Sequence, residues 1–252
     1  MKVLKHTIII LFWVMVWWLF SILIGNSLLF PTPLIVLSRL FELVVTSDFW
    51  ISLLTSLMRV LIGIAIAIAL GIILAFISAK IRIIHDLLFP LMTIIKSTPV
   101  ASFVILIVLF IGKDTLPSLI SLLMVLPVVW TNVYEGLCNI DKDLIEVCTI
   151  YKFSGFKRLR VLYLPTVMPY LTASILSSIG LGWKAGIAAE ILYPPLKSIG
   201  KAILDSKQIF LTEDLYAWTL VVITLSLLFE FAVKQALKLF SSKTKGGKYE
   251  NM

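Results

Sequence analysis

Two lysines and a glutamate lie well inside long apolar runs, where a charge must be held by water or by a partner. They are Lys96 in Lys96-Ser97-Thr98-Pro99, Lys184 in Trp183-Lys184-Ala185-Gly186, and Glu190. A lysine at mid-membrane costs roughly 2.5–3.5 kcal/mol on insertion scales. Glu190 is six positions from Lys184, about 120° around a helix, so an intrahelical pair is poor. Two readings stand: snorkelling or an interhelical salt bridge to Glu190, or a positively charged path for an anion. The path would be lined by Lys96, Thr98, Ser177, Ser178, Gly182, Trp183, Lys184 and Glu190. The chemistry in either case is electrostatic recognition, because the catalytic constellations are missing. No G-x-x-x-x-G-K-[ST] run is present, so the chain binds no ATP through a P-loop. His6 and His85 lack an H-x-x-x-H partner, so no metal site is expected. Cys138 and Cys148 are too few for a disulfide framework and read as reduced thiols.

The elements that position these residues are transmembrane helices. The chain has 252 residues, 60% hydrophobic and 14% charged, with mean hydropathy +1.05. A soluble domain is about one quarter charged, so this one could not wet its own surface. At roughly 20 residues per span, the apolar content supports five to seven spans. Punctuation by Pro, Gly and charge places six, at about 8–24, 53–79, 87–111, 116–134, 166–191 and 215–240. Together they form one all-α membrane domain over residues 1–252. The first run follows Lys2, Lys5 and His6 like a signal peptide but has no small-x-small cleavage site, so it reads as a retained span. Between the first two spans, residues 33–46 carry apolar residues at helical spacing and an Arg39–Glu42 pair, which predicts an amphipathic helix at the outer interface.

The net charge of +8 follows from topology. With the N-terminus inside, the inner side, counting span ends, holds Lys2, Lys5, Lys80, Arg82, Lys142, Lys152, Lys157, Arg158, Arg160, Lys234, Lys238, Lys243, Lys245 and Lys248. The outer side, counted the same way, holds only Arg39, Arg59, Lys113, Lys197, Lys201 and Lys207. That asymmetry predicts N-in and C-in, with anionic lipid rather than nucleic acid as the partner of the basic residues. Trp17, Trp18 and Trp50 suit interfacial belts. Gly63, Ala67, Gly71, Ala75 and Ala79 give the second span a face without bulk, and Ser178, Gly182 and Gly186 do the same in the fifth. Such faces serve bundle packing or a subunit interface. A cysteine at Ser178 or Gly182 is expected to report a solvent path.

The segment 135–165 is too polar to span. Asp143-Leu-Ile-Glu146 fits a capping box that starts a short helix through Tyr151. Ser154-Gly155 breaks it, a second basic helix runs from Phe156, and Leu164-Pro165 ends the segment where the fifth span begins.

At these residues the sequence resembles the permease subunits of ABC-type importers, whose cytoplasmic loop reads E-A-A, a Gly four residues on, then I-x-L-P. Glu146-Val147-Cys148 and Leu162-Tyr163-Leu164-Pro165 occupy those places, with Lys152 where Gly is expected and Gly155 nearby. Phe30-Pro-Thr-Pro33, Ser56-Leu-Met-Arg59-Val-Leu-Ile-Gly63 and Trp183-Lys-Ala-Gly-Ile-Ala-Ala-Glu190 are similar to the nitrate/sulfonate/taurine branch. The resemblance implies a type I importer permease in the bacterial cell membrane, two copies of it on two cytoplasmic ATPase subunits, and an extracytoplasmic solute-binding protein. ATP and Mg would sit on the ATPases, with no cofactor in this chain. The coupling residues would be Glu146, Val147, Cys148, Tyr151, Lys152, Phe153, Gly155, Arg158, Leu164 and Pro165. Tyr151 and Phe153 would be buried in the ATPase groove and Arg158 would meet ATPase carboxylates. Gly155→Val should then be harmful and Lys152→Gly tolerated. The alternatives are a secondary transporter or channel that needs no ATPase, and a membrane enzyme.

Overall fold

The structure, a computed structural model, describes residues 2–246, with side chains from residue 7 to residue 238. The side chains of Lys2, Lys5, His6, Lys243 and Lys245, and all of Lys248, lie outside the described residues. Every regular element among the described residues is helical. In order these are α1 (Lys2–Ile24), α2 (Pro33–Val44), α3 (Ser47–Lys80), α4 (Arg82–Ser97), α5 (Val100–Ile107), α6 (Leu116–Cys138), α7 (Lys142–Ile150), α8 (Gly155–Arg158), a π turn (Leu159–Tyr163), α9 (Leu164–Leu192), α10 (Ile199–Gln208) and α11 (Thr212–Gly246). Five stretches are long and apolar enough to cross a bilayer: Thr7–Ile24, Ser47–Lys80, Leu116–Cys138, Gly155–Leu192 and Thr212–Lys238. A bent pair, α4 with α5, makes a sixth candidate.

Three boundaries differ from the sequence reading, each for a local reason. Residues 87–111 are not one straight span: α4 and α5 meet at 104°. Pro99 has no N–H to continue the ladder and forces Thr98 into extended backbone, φ −82° and ψ 130°. The second span starts at Ser47, not at 53, because Asp48 in the first turn favours the helix N-terminus. Leu164-Pro165 ends nothing, and helix runs from Gly155 to Leu192 without interruption. The π turn before Pro165 widens the helix, with the Leu164 N–H reaching back to the Leu159 carbonyl, and so makes room for the proline ring.

The chain divides into two compact units, residues up to 57 with 190–225, and residues 58–189 with 226 onward. In the first unit, Thr32 caps α2 by accepting from the Ile35 N–H, and Pro33 follows at the first helical position. Trp17 donates to the Pro31 carbonyl (3.2 Å) and stacks on Tyr216, while Phe49 stacks on Trp218. Arg39 binds Glu42 at 2.6 Å and also Asp214. Those hydrogen bonds, to Asp214 first, hold its guanidinium further above its ordinary range.

The second unit is built around α6, which buries more of its length than the other candidate spans. Its two neighbours approach through the small faces. A Cβ on Gly63 would lie 2.1 Å from the Ser118 carbonyl oxygen, and one on Gly71 would lie 2.8 Å from Val129. On the α9 side, a Cβ on Gly182 would meet Val125 at 2.7 Å, and one on Gly186 would meet the Ser121 hydroxyl at 2.5 Å. Helices this close exchange polar contacts: Ser118 donates to the Arg59 carbonyl (2.7 Å), Ser121 to the Gly182 carbonyl (2.9 Å), and Trp130 to Ser78 (3.1 Å). The small residues of α3 and α9 therefore serve packing within the subunit, and Ala79, at the end of the α3 row, is exposed.

Candidate functional site

The polar loop between α6 and α9 is stapled from within. Its first helix is not started by a capping box at Asp143. The cap is Asp141, whose carboxylate accepts from the Asp143 N–H at 3.0 Å, and Leu144 rather than an acid occupies the third helical position. The two aspartates compete for one role, and the residue just before the turn has the free backbone geometry to take it. Asp143 then lies in the first turn, where its charge suits the helix dipole.

The far end of α7 closes in a Schellman motif. The Phe153 N–H reaches the Cys148 carbonyl (3.0 Å) and the Lys152 N–H reaches Thr149 (3.0 Å). Lys152 sits at the left-handed position with φ +48°. The turn thus falls at the place where the resembling permeases carry Gly, and this chain makes it with a lysine. Gly155 has no such duty: its φ is ordinary and nothing lies within 4 Å of a Cβ built there. Within this chain, nothing around Gly155 would make Gly155→Val harmful.

Across the turn, Ser154 caps α8 by accepting from the Lys157 N–H. Lys157 lies over the Phe153 ring, 4.1 Å from its centre. Arg158 reaches back to the Thr149 hydroxyl (2.9 Å), so it braces the loop. Cys148 is buried beneath α7, and Glu146 is exposed. Leu144, Val147, Ile150 and Tyr151 form an exposed apolar stripe on this short helix, with Tyr151 71% accessible. Phe153 is half-buried under Lys157, its ring centre 6.3 Å from that of the exposed Tyr151.

The residues expected to line a path separate by face and by unit. On α9, Ser178, Gly182 and Trp183 are buried. Ser178 donates to the Ser174 carbonyl. Ser177 and Lys184 lie on the opposite, exposed face. On α4, Lys96 donates to the Thr131 hydroxyl of α6 at 2.8 Å, and Thr131 in turn donates a hydrogen bond to the Pro127 carbonyl. Thr98 occupies the break and bonds the Ile94 carbonyl.

Glu190 belongs to the first unit, fully buried. Its carboxylate accepts from the Ser56 hydroxyl (2.7 Å) and from the Gly200 N–H (3.2 Å). Ser56 in turn accepts from the Ile199 N–H (2.8 Å), and Ser198 accepts from Lys201 (3.0 Å). Three amides at the start of α10 are thereby satisfied by three side chains. A Cβ on Gly200 would stand 2.3 Å from Glu190, so glycine is required there. Sequence reading missed this junction, although Ser56 and Glu190 both fall in fragments shared with the resembling permeases.

Residues 67–246, well over half of the chain, match the family described as binding-protein-dependent transport system inner membrane component. The chain belongs to that family. A Bacillus subtilis (strain 168) protein named as an aliphatic sulfonates transport permease, SsuC, is 22% identical over 76% of this chain and 70% of its own length. The Escherichia coli (strain K12) protein of the same name is 28% identical over 47% of this chain and 45% of its own. A bicarbonate transport system permease protein, CmpB, of Synechococcus elongatus is 36% identical over 31% of this chain and 28% of its own length. This inner-membrane component is therefore a multi-pass membrane protein whose relatives are transport permeases, not enzymes, of the nitrate/sulfonate branch.

Proposed function

We propose that the chain is the permease subunit of an ATP-driven importer, forming the passage for a small anion such as a sulfonate, nitrate or bicarbonate. Its whole length acts as one transmembrane domain, N-in and C-in, with α2 at the outer surface. Two copies assemble with two cytoplasmic ATPases, which hold ATP and Mg, and an extracytoplasmic binding protein delivers the solute. The two kinds of relative named above carry solutes that are both anions at neutral pH, which supports that substrate class.

One observation carries the coupling assignment: the exposed stripe of Leu144, Val147, Ile150 and Tyr151 on a loop that is internally stapled and continuous with a spanning helix. A monomer gains nothing by exposing such a stripe, whereas an apolar groove on a partner would bury it. Glu146 and Val147 lie on the docking helix, Lys152 and Gly155 in its turn, and Arg158, Leu164 and Pro165 in the arm that carries motion into α9. Cys148 packs underneath and supports the helix.

The test is co-purification and nucleotide hydrolysis with the partner ATPase. Tyr151→Asp and Glu146→Ala should abolish stimulated ATP hydrolysis and leave membrane insertion intact. Stimulation at the unsubstituted level in both variants removes the loop from coupling. Solute flux through liposomes that contain this chain alone points to a channel or secondary transporter instead.

A further inference from the structure

The two buried-span lysines are not equivalent. Lys96 is tied to Thr131, as Arg59 is tied to Asp114 and Lys234 to Glu230. Lys184 is exposed and has no hydrogen-bond or ion-pair partner among the described residues. The face it occupies cannot be mistaken, because Gly182 and Gly186 fix the other side of α9 against Val125, Ile64, Val60 and Ser121. Along the same face run the exposed Ala173 and Ser177 and the half-buried Gly180, with nothing within 4 Å of a Cβ built on Gly180.

Depth matters as well. Lys184 is about 9 Å along the axis from the middle of the 29-residue α9, so with α9 centred in a hydrocarbon layer roughly 30 Å thick its backbone would lie within that layer. Side chains lean toward the helix N-terminus, so Lys184 leans over Gly180 and Ser177, away from the nearer, C-terminal end of the helix. Snorkelling to that surface works against this lean. An exposed, unpaired ammonium with Gly180 and Ser177 below it on the helix is a poor surface for lipid and a suitable one for a hydrated anion.

We propose that Lys184 is the anion-contacting residue of the passage, that the second copy contributes its own Lys184 to the same passage, and that Lys96 is a structural tie between α4 and α6. This rests on the importer reading above. It divides between two residues the role that sequence reading assigns to both. A sulfonate or carboxylate-like oxyanion passing this face meets two ammonium groups; a neutral or cationic solute gains nothing there.

The experiment uses the full chain bound to its ATPase, with Cys138→Ser, Cys148→Ser and a reporter Ser177→Cys. Reaction rates are compared for a methanethiosulfonate reagent bearing a sulfonate and one bearing a quaternary ammonium. The lysine should favour the anionic reagent, and Lys184→Gln should lower the anion-to-cation rate ratio on the order of tenfold. Lys184→Arg should keep the ratio, and Lys96→Gln should leave it where it was. A ratio indifferent to Lys184→Gln, a ratio that falls equally with Lys96→Gln, or a reporter that never reacts overturns the proposal. Rates that do not change between nucleotide-free and ATP-bound complex count against the importer reading instead, and the charge ratio still reports on Lys184.

Discussion

Replacing Lys152 with glycine should strengthen the loop. Lys152 holds φ +48° at the end of α7, a conformation that costs an L-residue roughly 1–2 kcal/mol. Glycine removes that strain but loses more chain entropy on ordering, about 0.5–1 kcal/mol. The net gain is about 0.5–1 kcal/mol, local to the turn. It should appear in hydrogen exchange of the Phe153 amide, which is bonded to the Cys148 carbonyl at 3.0 Å. A gain of that size slows opening roughly two- to fivefold, since about 1.4 kcal/mol is tenfold. Lys152→Ala separates charge from conformation: it removes the ammonium, keeps the left-handed strain and should bring no protection. Gly155→Val, in open space with ordinary φ, should leave exchange and ATPase stimulation within about twofold. Faster exchange in Lys152→Gly, or equal protection in Lys152→Gly and Lys152→Ala, would refute the strain argument.

Two further outcomes follow from close approach and burial. Gly63→Ala, whose Cβ would lie 2.1 Å from a backbone oxygen that cannot rotate away, should lower stability by about 2–3 kcal/mol or more in detergent unfolding; Gly180→Ala, in open space, should not. Glu190→Ala removes the acceptor of Ser56 and of the Gly200 N–H and should cost about 3 kcal/mol, whereas Glu190→Gln keeps a carbonyl acceptor and should recover most of it, as read by the same unfolding curves.

The spans are legible in the sequence because apolar length and Pro/Gly punctuation act locally. So is the loop, because its polarity and its Glu146 to Pro165 spacing are local too. What escapes is decided by partners far along the chain. Thr131 claims Lys96 from 35 residues away, and Ser56 claims Glu190 from 134. No periodicity carries that information. The faces of α9 escape for a related reason: Ser177 and Ser178 are equally small, and only the packing against α6 makes one exposed and the other buried. Lys152 is the instructive case, where the residue type argues against a left-handed turn and the Schellman hydrogen bonds impose it.

Because nothing interrupts the helix between Gly155 and Leu192, the polar loop and Lys184 are two points on one rod. Lys184 stands 25 residues beyond Leu159, a lever arm of roughly 37 Å. A pivot of about 10° at the π turn, within the range of rigid-body motions seen in switching proteins, would sweep the ammonium through roughly 6 Å. That stroke is longer than a hydrogen bond and comparable to the diameter of a small oxyanion. A rod of this kind trades force for travel: on the importer reading proposed above, a small displacement of the loop would move Lys184 much further than the loop itself moves.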